Sequence, residues 1–536
     1  MINTINKYLR VAMLVIAAFL FNSCEKTILD VTPFDSFTDA TAFTTPERCA
    51  LALNGVYDAA QSGFYLGGAV RGYPFGAANV TQGDMRGEDM LNQAGFYQIT
   101  YEATYNDVSA NNSFHFQTLY SLINVANLTI EGVQGAATAG IITAALGNQY
   151  EAECKFLRAL AHHELVVNFA RPFTDAAGSK VGIIYRDFGI NSEPTIEASR
   201  ALKRSTVAEN YTKILADLDF AETNLPDGGS LKTFRASKAA AIALKMRVKL
   251  FKADWPGVIT EGNKLTPAAA PYTSPSGGWR LTATPGGAFL APWTSDESIF
   301  SIKNDATDNS GVNGSLPNML GNPLAAPAGV GGRGLVRISP IIWNASFWLC
   351  DDLRRTSLTS SDGGAGRYTT KYKDVTTQAD ATPQIRYAEV LLLLAEAESR
   401  SSVIPSQRAL DLLNAVRNRS LANAATQGYT LAGFATGKDL TQAILNERRV
   451  ELLAEGKRWG DISRLALDAD FAPVAGGGIP SKVGSGGATA VMFNCEVPPA
   501  FARSVPAIAY SSNRFIWPIP IVEIQQNPNF EQNPGY

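Results

Sequence analysis

The sequence predicts a mainly α-helical protein in which helix pairs are combined with a large irregular part that contains little β-structure. Three observations support this fold class. Apolar residues recur at helical spacing in several separate stretches, some of these stretches carry helix-start signals, and the intervening segments are rich in Gly, Pro, Ser and Thr. Hydrophobic residues make up 46% of the 536 positions, which is enough for a large core.

The first helix is predicted to start at Thr45 and Pro46, because Thr is a favoured N-cap and Pro is favoured in the first turn. A second start signal is the spacing of Thr206 and Glu209, which matches a capping box. Apolar residues follow both signals with the spacing of one helical face. The same periodicity predicts helices over 113–131, 147–169, 206–225, 236–253, 384–400, 405–420 and 438–467.

The predicted helices form pairs of similar length joined by short turns, as within 206–253 and 384–420. Small residues such as Ala239, Ala243 and Ala395 recur where the members of a pair would pack closely. This pattern is typical of a tetratricopeptide-like array with a repeat of roughly 34 residues, although the full repeat consensus is absent. Such an array buries a continuous core and leaves extended surfaces for partners.

Two long irregular segments, 64–108 and 265–380, separate the helical stretches. Loops of this length are usually functional or disordered, and the aromatic content of 64–108 favours order. We therefore expect the following organisation: a signal peptide at 1–23, a tether at 24–44, an N-terminal region at 45–264 with a ligand loop at 64–108, a loop-rich ligand side at 265–380, and a C-terminal region with helix pairs and an extended tail at 381–536.

The N-terminus resembles a bacterial lipoprotein signal. Lys7 and Arg10 precede an apolar run from Val11 to Phe21, and Cys24 follows where a lipoprotein cleavage would fall. The run is well short of the ~20 residues that span a bilayer as a helix. We expect lipid attachment at Cys24 and a location outside the cytoplasm. An ordinary secretory signal, which would leave Cys24 as a free thiol, is the alternative.

The formal net charge of −3 argues against nucleic acid as a partner, because phosphate binding needs clustered Lys and Arg. Four further cysteines are widely spaced: Cys49, Cys154, Cys350 and Cys495. We expect mostly free, buried thiols, with two disulfides as the alternative and three connectivities open. The chain has no CxxC spacing, so a zinc site of that type is not expected.

Enzyme signatures are scarce. The chain has three histidines, and the adjacent pair His162 and His163 would point about 100° apart on a helix, which does not suit one metal ion. GxSxG, HExxH and P-loop motifs are absent. We therefore expect no catalytic residue, no cofactor and no metal.

One acidic pair invites comparison with a glycosidase, which needs two carboxyl groups. Asp351 and Asp352 are adjacent, but Arg354 and Arg355 follow directly, and this arrangement favours internal salt bridges. A structural role is the expected one.

Aromatic residues in the irregular segments are a stronger signal of function. A planar ring with a polar tip can stack on the apolar face of a sugar and bind its hydroxyl groups, and it also suits a peptide. In segment 64–108, Asp84, Glu88 and Asp89 would be either a solvated loop or weak contacts to a cation or polar ligand. The candidate ligand residues are Tyr65, Tyr73, Asp84, Arg86, Tyr97, Tyr101, Trp279, Trp293 and Trp348.

The C-terminal third contains two distinctive segments, NERRVELLAEGKRWGDISRL at 446–465 and FIWPIPIVEIQQNPNFEQNPGY at 515–536. Both resemble signature segments of the SusD/RagB family of outer-membrane nutrient-binding lipoproteins. Further matching stretches in the family's order are 151–166, 234–250, 351–372 and 385–399. Their residues indicate a scaffold of intrahelical and tertiary salt bridges, aromatic packing and a proline-fixed tail. The signature residues are Arg449, Glu451, Glu455, Gly456, Arg458, Trp459, Asp461, Trp517 and Pro518.

The resemblance implies a tetratricopeptide-like superstructure with a loop-rich half, located on the outer face of the outer membrane and anchored by lipid. It implies a SusC-like TonB-dependent transporter as partner, with the helical array facing the transporter and the loops binding an oligosaccharide or a peptide. Ligand residues vary within the family, so only the regions 64–108 and 270–350 carry over.

The leading hypothesis is a non-catalytic nutrient-binding lipoprotein with an oligosaccharide as the favoured ligand. Two alternatives belong to other classes: a surface glycoside hydrolase, and a scaffold that binds no small molecule.

Overall fold

The computed structural model of the protein describes residues 41–62, 71–228, 233–290, 294–324 and 331–536. α-Helices dominate these segments, as the sequence predicts. The helices are α1 (Pro46–Gln61), α2 (Ala77–Met85), α3 (Gln98–Tyr101), α4 (Ala110–Thr138), α5 (Ala144–Phe169), α6 (Glu193–Arg200), α7 (Val207–Asn224), α8 (Lys238–Phe251), α9 (Trp255–Leu265), α10 (Gly287–Leu290), α11 (Leu316–Leu320), α12 (Pro340–Trp343), α13 (Leu353–Ser357), α14 (Tyr387–Arg400), α15 (Gln407–Arg417), α16 (Ala424–Gln427), α17 (Gly437–Glu451), α18 (Arg458–Leu465) and α19 (Ile521–Gln526).

Helix starts follow the predicted capping chemistry. The side chain of Thr45 accepts a hydrogen bond from the backbone N–H of Arg48 at 3.3 Å, which caps α1. Thr206 and Glu209 form the expected capping box at the start of α7. These caps satisfy N–H groups that have no partner inside the helix. The sequence signals for both helix starts are therefore confirmed.

The long helices form an array of successive neighbours. Helix α4 packs on α5, α5 on α7, α7 on α8, α8 on α9 and α9 on α14, which in turn contacts α15 and α17. Helix α14 is buried along nearly its whole length, as its apolar sequence predicts. The predicted tetratricopeptide-like superstructure is confirmed.

Short antiparallel strand pairs tie the irregular segments together. The pairs are β1 (Met90–Asn92) with β3 (Val336–Ile338), β2 (Ser298–Ile302) with β6 (Thr382–Arg386), β4 (Thr359–Ser361) with β5 (Arg367–Thr369), and β7 (Gly478–Ile479) with β8 (Ile508–Ala509). Each pair joins two strands only, so β-structure in the described residues is limited to local clasps.

Two hydrophobic cores support the two halves. The larger core follows the helical array and includes Trp459 and Trp517. The smaller core lies in the irregular half and includes Tyr97, Met319 and Trp348. Burial of each large apolar side chain contributes roughly 1.5–3 kcal/mol to the free energy of folding, so both cores stabilise the fold. Among the described helices, none combines the length and apolarity needed to cross a bilayer.

The prediction of one long loop over 64–108 is wrong for its described part. Residues 71–108 contain α2, β1 and α3. Helix α2 is buried on nearly all sides, with Ala77, Val80 and Met85 among its buried residues. A short helix that packs all round shows no amphipathic period, which explains why the sequence pattern missed it.

The cysteine prediction is half right. Cys49 and Cys154 are free and buried, as expected. Cys350 and Cys495 instead form a disulfide with a Cα–Cα distance of 5.6 Å. Because 145 positions separate these two cysteines, only the folded chain brings them together, and their spacing gave no signal.

Candidate functional site: an aromatic groove

A cavity of about 440 Å³ opens in the irregular half of the protein, and we call it the aromatic groove. This volume lies in the range of small-molecule sites. The groove receives side chains from both regions that the family resemblance assigned to the ligand, 64–108 and 270–350. Its lining residues are Arg71, Tyr73, Ala78, Phe96, Tyr97, Ile99, Ala110, Asn111, Phe114, Asn313 and Arg333.

A close approach between two glycines joins the two sides of the groove. The carbonyl group of Gly314 accepts a hydrogen bond from the backbone N–H of Ala77 at 3.1 Å. A Cβ atom on Gly72 would lie 2.7 Å from the Gly314 carbonyl oxygen, and Gly72 has a φ of +74°. Only glycine fits both the contact and the backbone angle, so this junction requires glycine at position 72.

The strand pair β1–β3 makes a second junction beneath the groove. Met90 pairs with Ile338 and Asn92 with Val336, and the Gln93 N–H donates to the Leu335 carbonyl at 2.8 Å. This clasp holds the segment that carries Phe96 and Tyr97 beside the loop that carries Arg333.

Aromatic rings form the floor and one edge of the groove. The Phe96 ring is 48% exposed and lies 4.5 Å, centroid to centroid, from the buried Tyr97 ring. Tyr73 and Phe114 form a second tilted pair at 6.4 Å. Rings in this arrangement offer apolar faces to a flat or sugar-like ligand. Phe96 is the most exposed of the four residues, Phe114 is half-buried, and Tyr73 and Tyr97 are buried.

Tyr73 and Tyr97 add hydroxyl groups to the groove. The Tyr73 hydroxyl accepts from Gln82 Nε2 at 2.9 Å. Burial raises the pKa of Tyr97 to about 12, although a hydrogen bond with Thr81 and the positive charges of Arg333 and Arg71 act in the opposite direction. At neutral pH the Tyr97 phenol is therefore neutral, and it shares the groove with two guanidinium groups.

Polar side chains complete the rim. Asn111 Nδ2 donates to the Phe96 carbonyl at 2.8 Å, which ties the first turn of α4 to the Phe96 segment. Arg333 Nη1 donates to Asn313 Oδ1 at 2.7 Å. The groove can thus stack on an apolar surface and form hydrogen bonds with polar groups at its edge.

Tyr73 and Tyr97 are the predicted ligand residues that the structure places in the groove. Cys24, Tyr65 and Trp293 lie outside the described residues. The other five are not part of the described lining of the groove, and their side chains are buried. These five are Asp84, Arg86, Tyr101, Trp279 and Trp348, each at most 3% exposed.

Arg86 is a structural residue. Its guanidinium carbon lies 3.3 Å from the centroid of the Trp459 ring, and Nη1 donates to Asn168 Oδ1 at 2.7 Å. Nη2 donates to the Phe515 carbonyl at 2.9 Å. Arg86 therefore fastens the C-terminal tail to α5.

The acidic residues Asp84, Glu88 and Asp89 are neither solvated nor placed to contact a cation or ligand, so both predictions for them are wrong. Glu88 forms a salt bridge with Arg458 at 2.6 Å, and Asp89 does so with Arg449 at 2.5 Å. The Asp84 carboxylate accepts the Gly456 N–H at 3.0 Å. All three acids are buried contacts to the C-terminal signature segment.

The signature residues form mainly tertiary ion pairs, together with one intrahelical pair between Asp461 and Arg464. Glu451 contacts Arg419 at 2.8 Å and both Arg354 and Arg386 at 3.1 Å. Burial opposes ionisation of Glu451, but these guanidinium groups outweigh it and lower its pKa to about 2. Other buried carboxylates also form salt bridges: Glu455 with Lys371 and Arg386, Asp461 with Arg448 and Arg464, and Asp352 with Arg354.

The remaining signature residues pack between elements. Trp459 Nε1 donates to the Val167 carbonyl at 3.1 Å, and Gly456 adopts a φ of +75° in the turn between α17 and α18. Trp517 and Pro518 are buried in the tail. The predicted scaffold role fits these contacts.

Sequence reasoning missed most of the groove. Phe96 and Phe114 carry an aromatic signal but are not among the predicted ligand residues, and Asn111 lies just before a predicted helix. Asn313 and Arg333 carry no local signal, because only the Gly72 and β1–β3 junctions bring them to the groove.

The described residues line other cavities as well. A surface groove of about 520 Å³ between α12 and residues 498–503 includes Phe347, Phe501, Arg449 and Arg503. A cavity of about 60 Å³ lies among buried ion pairs and has room for only a few water molecules. Within the described residues, no cluster of His, Cys, Asp and Glu is arranged to hold a metal ion.

Two family models match the chain. A model of the SusD family matches residues 359–536, and a SusD-like model described as starch-binding and associating with the outer membrane matches residues 54–250. The two matches together cover more than half of the chain, and they include both ion-pair scaffold and groove residues.

Individual relatives agree with these matches. SusD-like protein P2 of Formosa agariphila is 25% identical over an alignment of 480 positions that covers 82% of this chain and 87% of the relative. The crystal structure of a SusD superfamily protein from Bacteroides fragilis is 26% identical with a TM-score of 0.73, covering 91% of this chain and 100% of that one. Surface glycan-binding protein A from Bacteroides uniformis shares the fold at 18% identity with a TM-score of 0.66, covering 91% and 99%. The chain therefore belongs to the SusD/RagB family.

Proposed function

We propose that this protein captures an oligosaccharide in the aromatic groove at the cell surface and passes it unchanged to a SusC-like TonB-dependent transporter. The observation that carries the proposal is the groove itself, in which an exposed phenylalanine, tyrosines and amide and guanidinium groups face one cavity. Aromatic rings stack on the apolar faces of sugars, and the polar rim suits their hydroxyl groups.

The comparisons support a glycan over a peptide. One family description mentions starch binding, and one of the structural neighbours is named a surface glycan-binding protein. These words describe other proteins, and we extend them to this chain because the groove has a matching chemistry.

The composition of the groove supports binding without turnover. A glycosidase needs two carboxyl groups at the scissile bond. The described lining residues of the groove include no Asp or Glu. Asp352, a carboxylate that the sequence raised as a catalytic candidate, is buried and paired with Arg354 at 2.8 Å.

The test is a glycan array run beside a peptide pool with the purified chain from Cys24 onward, followed by calorimetry on the strongest ligand. Replacement Phe96→Ala should weaken binding at least about fivefold, since truncation of an aromatic residue that anchors a ligand typically costs more than about 1 kcal/mol. The matched control is Phe501→Ala in the other surface groove, which should leave affinity unchanged.

Three outcomes would contradict the proposal. Hydrolysis of the bound ligand would indicate an enzyme. Loss of binding in Phe501→Ala but not in Phe96→Ala would move the site to the other groove. Binding of peptides alone would replace the ligand class.

We further propose that lipid on Cys24 holds the protein at the outer membrane. Two or more acyl chains give stable anchoring, and the tether would keep the groove near the transporter at high effective concentration. Cys24→Ala should abolish palmitate labelling and uptake while ligand affinity stays unchanged. A TonB-dependent transporter should co-purify with the wild-type protein from outer membranes in mild detergent, and its absence there would contradict the assigned partner.

A further inference from the structure

The aromatic groove is positively charged in a protein that is acidic overall. Its described lining contains Arg71 and Arg333 and no acidic side chain, whereas the whole chain has a formal net charge of −3. Both arginines are exposed. The charge of the groove is therefore opposite in sign to that of the chain.

Arg333 makes its side-chain contacts to neutral groups. Its Nη1 donates to Asn313 Oδ1 at 2.7 Å and lies 3.9 Å from Met319 Sδ. The backbone N–H of Arg333 donates to the Asn318 carbonyl at 2.6 Å, which fixes the position of the residue on its loop. The guanidinium group is thus held in place by contacts that leave its positive charge in the groove.

Arg71 acts at the same place. The positive charges of Arg333 and Arg71 both oppose the rise in the pKa of Tyr97 that burial causes. Both arginines line the same cavity as Tyr97 and Phe96, so their charges act beside these rings.

The other surface groove has two arginines, of which Arg503 is exposed and Arg449 is paired. Its Arg449 is committed to Asp89 at 2.5 Å and to Glu88 at 3.0 Å, so its charge is already balanced. In the aromatic groove, Arg333 has neutral partners and lies beside two tilted pairs of aromatic rings, and this combination suits a ligand that has both a sugar ring and a negative charge.

We propose that the aromatic groove selects acidic oligosaccharides, whose carboxylate or sulfate groups bind Arg333 and Arg71 while a sugar ring stacks on Phe96. This inference rests on the proposed function and narrows its substrate class. Arginine pairs with planar carboxylates and with sulfate oxygens through parallel N–H donors, which a neutral hydroxyl group cannot match.

The experiment uses matched pairs of oligosaccharides that differ only in charge. One arm compares galacturonic acid oligomers with their methyl esters, and a second compares sulfated galactan oligomers with their desulfated forms. Neutral starch and laminarin oligomers and an acidic peptide complete the panel. Affinity is measured by calorimetry at low and high sodium chloride.

We expect at least one acidic member to bind at least about tenfold more tightly than its neutral counterpart, with an affinity that falls as salt rises. Arg333→Gln should remove this preference, and Arg71→Gln should reduce it. The matched control is Arg503→Gln, an exposed arginine of the other groove, which should change nothing. Unfolding midpoints of all three variants should equal that of the wild type, because these side chains are exposed.

Each other result has a distinct meaning. If neutral oligomers bind as well as or better than acidic ones, the inference is overturned and the proposed function stands. If Arg333→Gln keeps the full preference, the arginine is not its source and the inference also fails. If only the acidic peptide binds, or no saccharide binds, the proposed function fails together with the inference.

Discussion

The guanidinium carbon of Arg86 lies 3.3 Å from the centroid of the Trp459 indole and 4.6 Å from the centroid of the Trp517 indole. Burial lowers the pKa of Arg86 to about 10, yet the group remains charged at neutral pH. The contact joins the segment before β1 to both C-terminal signature segments.

Arg86→Met should therefore destabilise the protein by roughly 2–4 kcal/mol, because the Asn168 amide oxygen and the Phe515 carbonyl lose their charged donor and the cation–π contact is lost. Arg86→Lys should recover part of this loss. Urea unfolding checks both values, with Arg503→Met as an exposed control near zero. Ligand affinity of the folded variants should be unchanged, and a selective loss of affinity would return Arg86 to the ligand site.

Glu451→Gln should destabilise the protein by about 3–5 kcal/mol, since three arginines lose part of a buried counter-charge. The matched control is Glu197→Gln in the exposed pair with Arg200, where the cost should stay below about 1 kcal/mol. Chemical unfolding of the two variants gives the comparison. Equal losses would mean that the buried network is not a stabilising element.

Asp84 should make stability depend on pH between about 4 and 7. Burial raises its pKa from 3.8 to about 7, with the Gly456 N–H partly offsetting the rise. In this window the folded state binds more protons than the unfolded state, so the proton on Asp84 stabilises the fold fully below pH 4 and less as pH rises through 7.

In Asp84→Asn this pH dependence should vanish, because the amide cannot ionise. The stability of the wild type relative to the variant should fall between pH 4 and 7 by up to about 4 kcal/mol. Urea unfolding at each pH measures the difference. A constant difference across the window would show that Asp84 ionises normally in the folded protein.

Loss of the Cys350–Cys495 disulfide should lower stability by about 2–4 kcal/mol, because the bridge closes a long loop in the unfolded chain. The double replacement Cys350→Ser and Cys495→Ser should match the effect of a reducing agent on the wild type. The reducing agent should have no effect on the double variant. A wild type that is insensitive to reduction would argue against the bridge.

The helical array could be predicted because its signals are local. Thr45, Thr206 and Glu209 indicate helix starts, and each lies within four residues of the group that it caps. The apolar residues that follow have the spacing of one helical face. The apolar sequence of α14 likewise predicted its burial. Such signals do not depend on what the chain does elsewhere.

The groove could be predicted only in part, because aromatic residues serve burial and recognition alike. Tyr73 and Tyr97 line the groove, whereas Trp279 and Trp348, predicted on the same grounds, are buried elsewhere. Arg333 reaches the groove through contacts between segments more than 200 positions apart, and no local pattern encodes such a contact.

The junction between Gly72 and Gly314 joins two loop segments that line the aromatic groove. Among the described lining residues, the long helices of the array contribute only the first turns of α4, and the rest come from loops and short elements. On the proposed function, substitutions on those loops would change the ligand without disturbing the buried ion pairs of α17. Selectivity and stability are thus encoded in separate parts of the chain, and one can evolve while the other is kept.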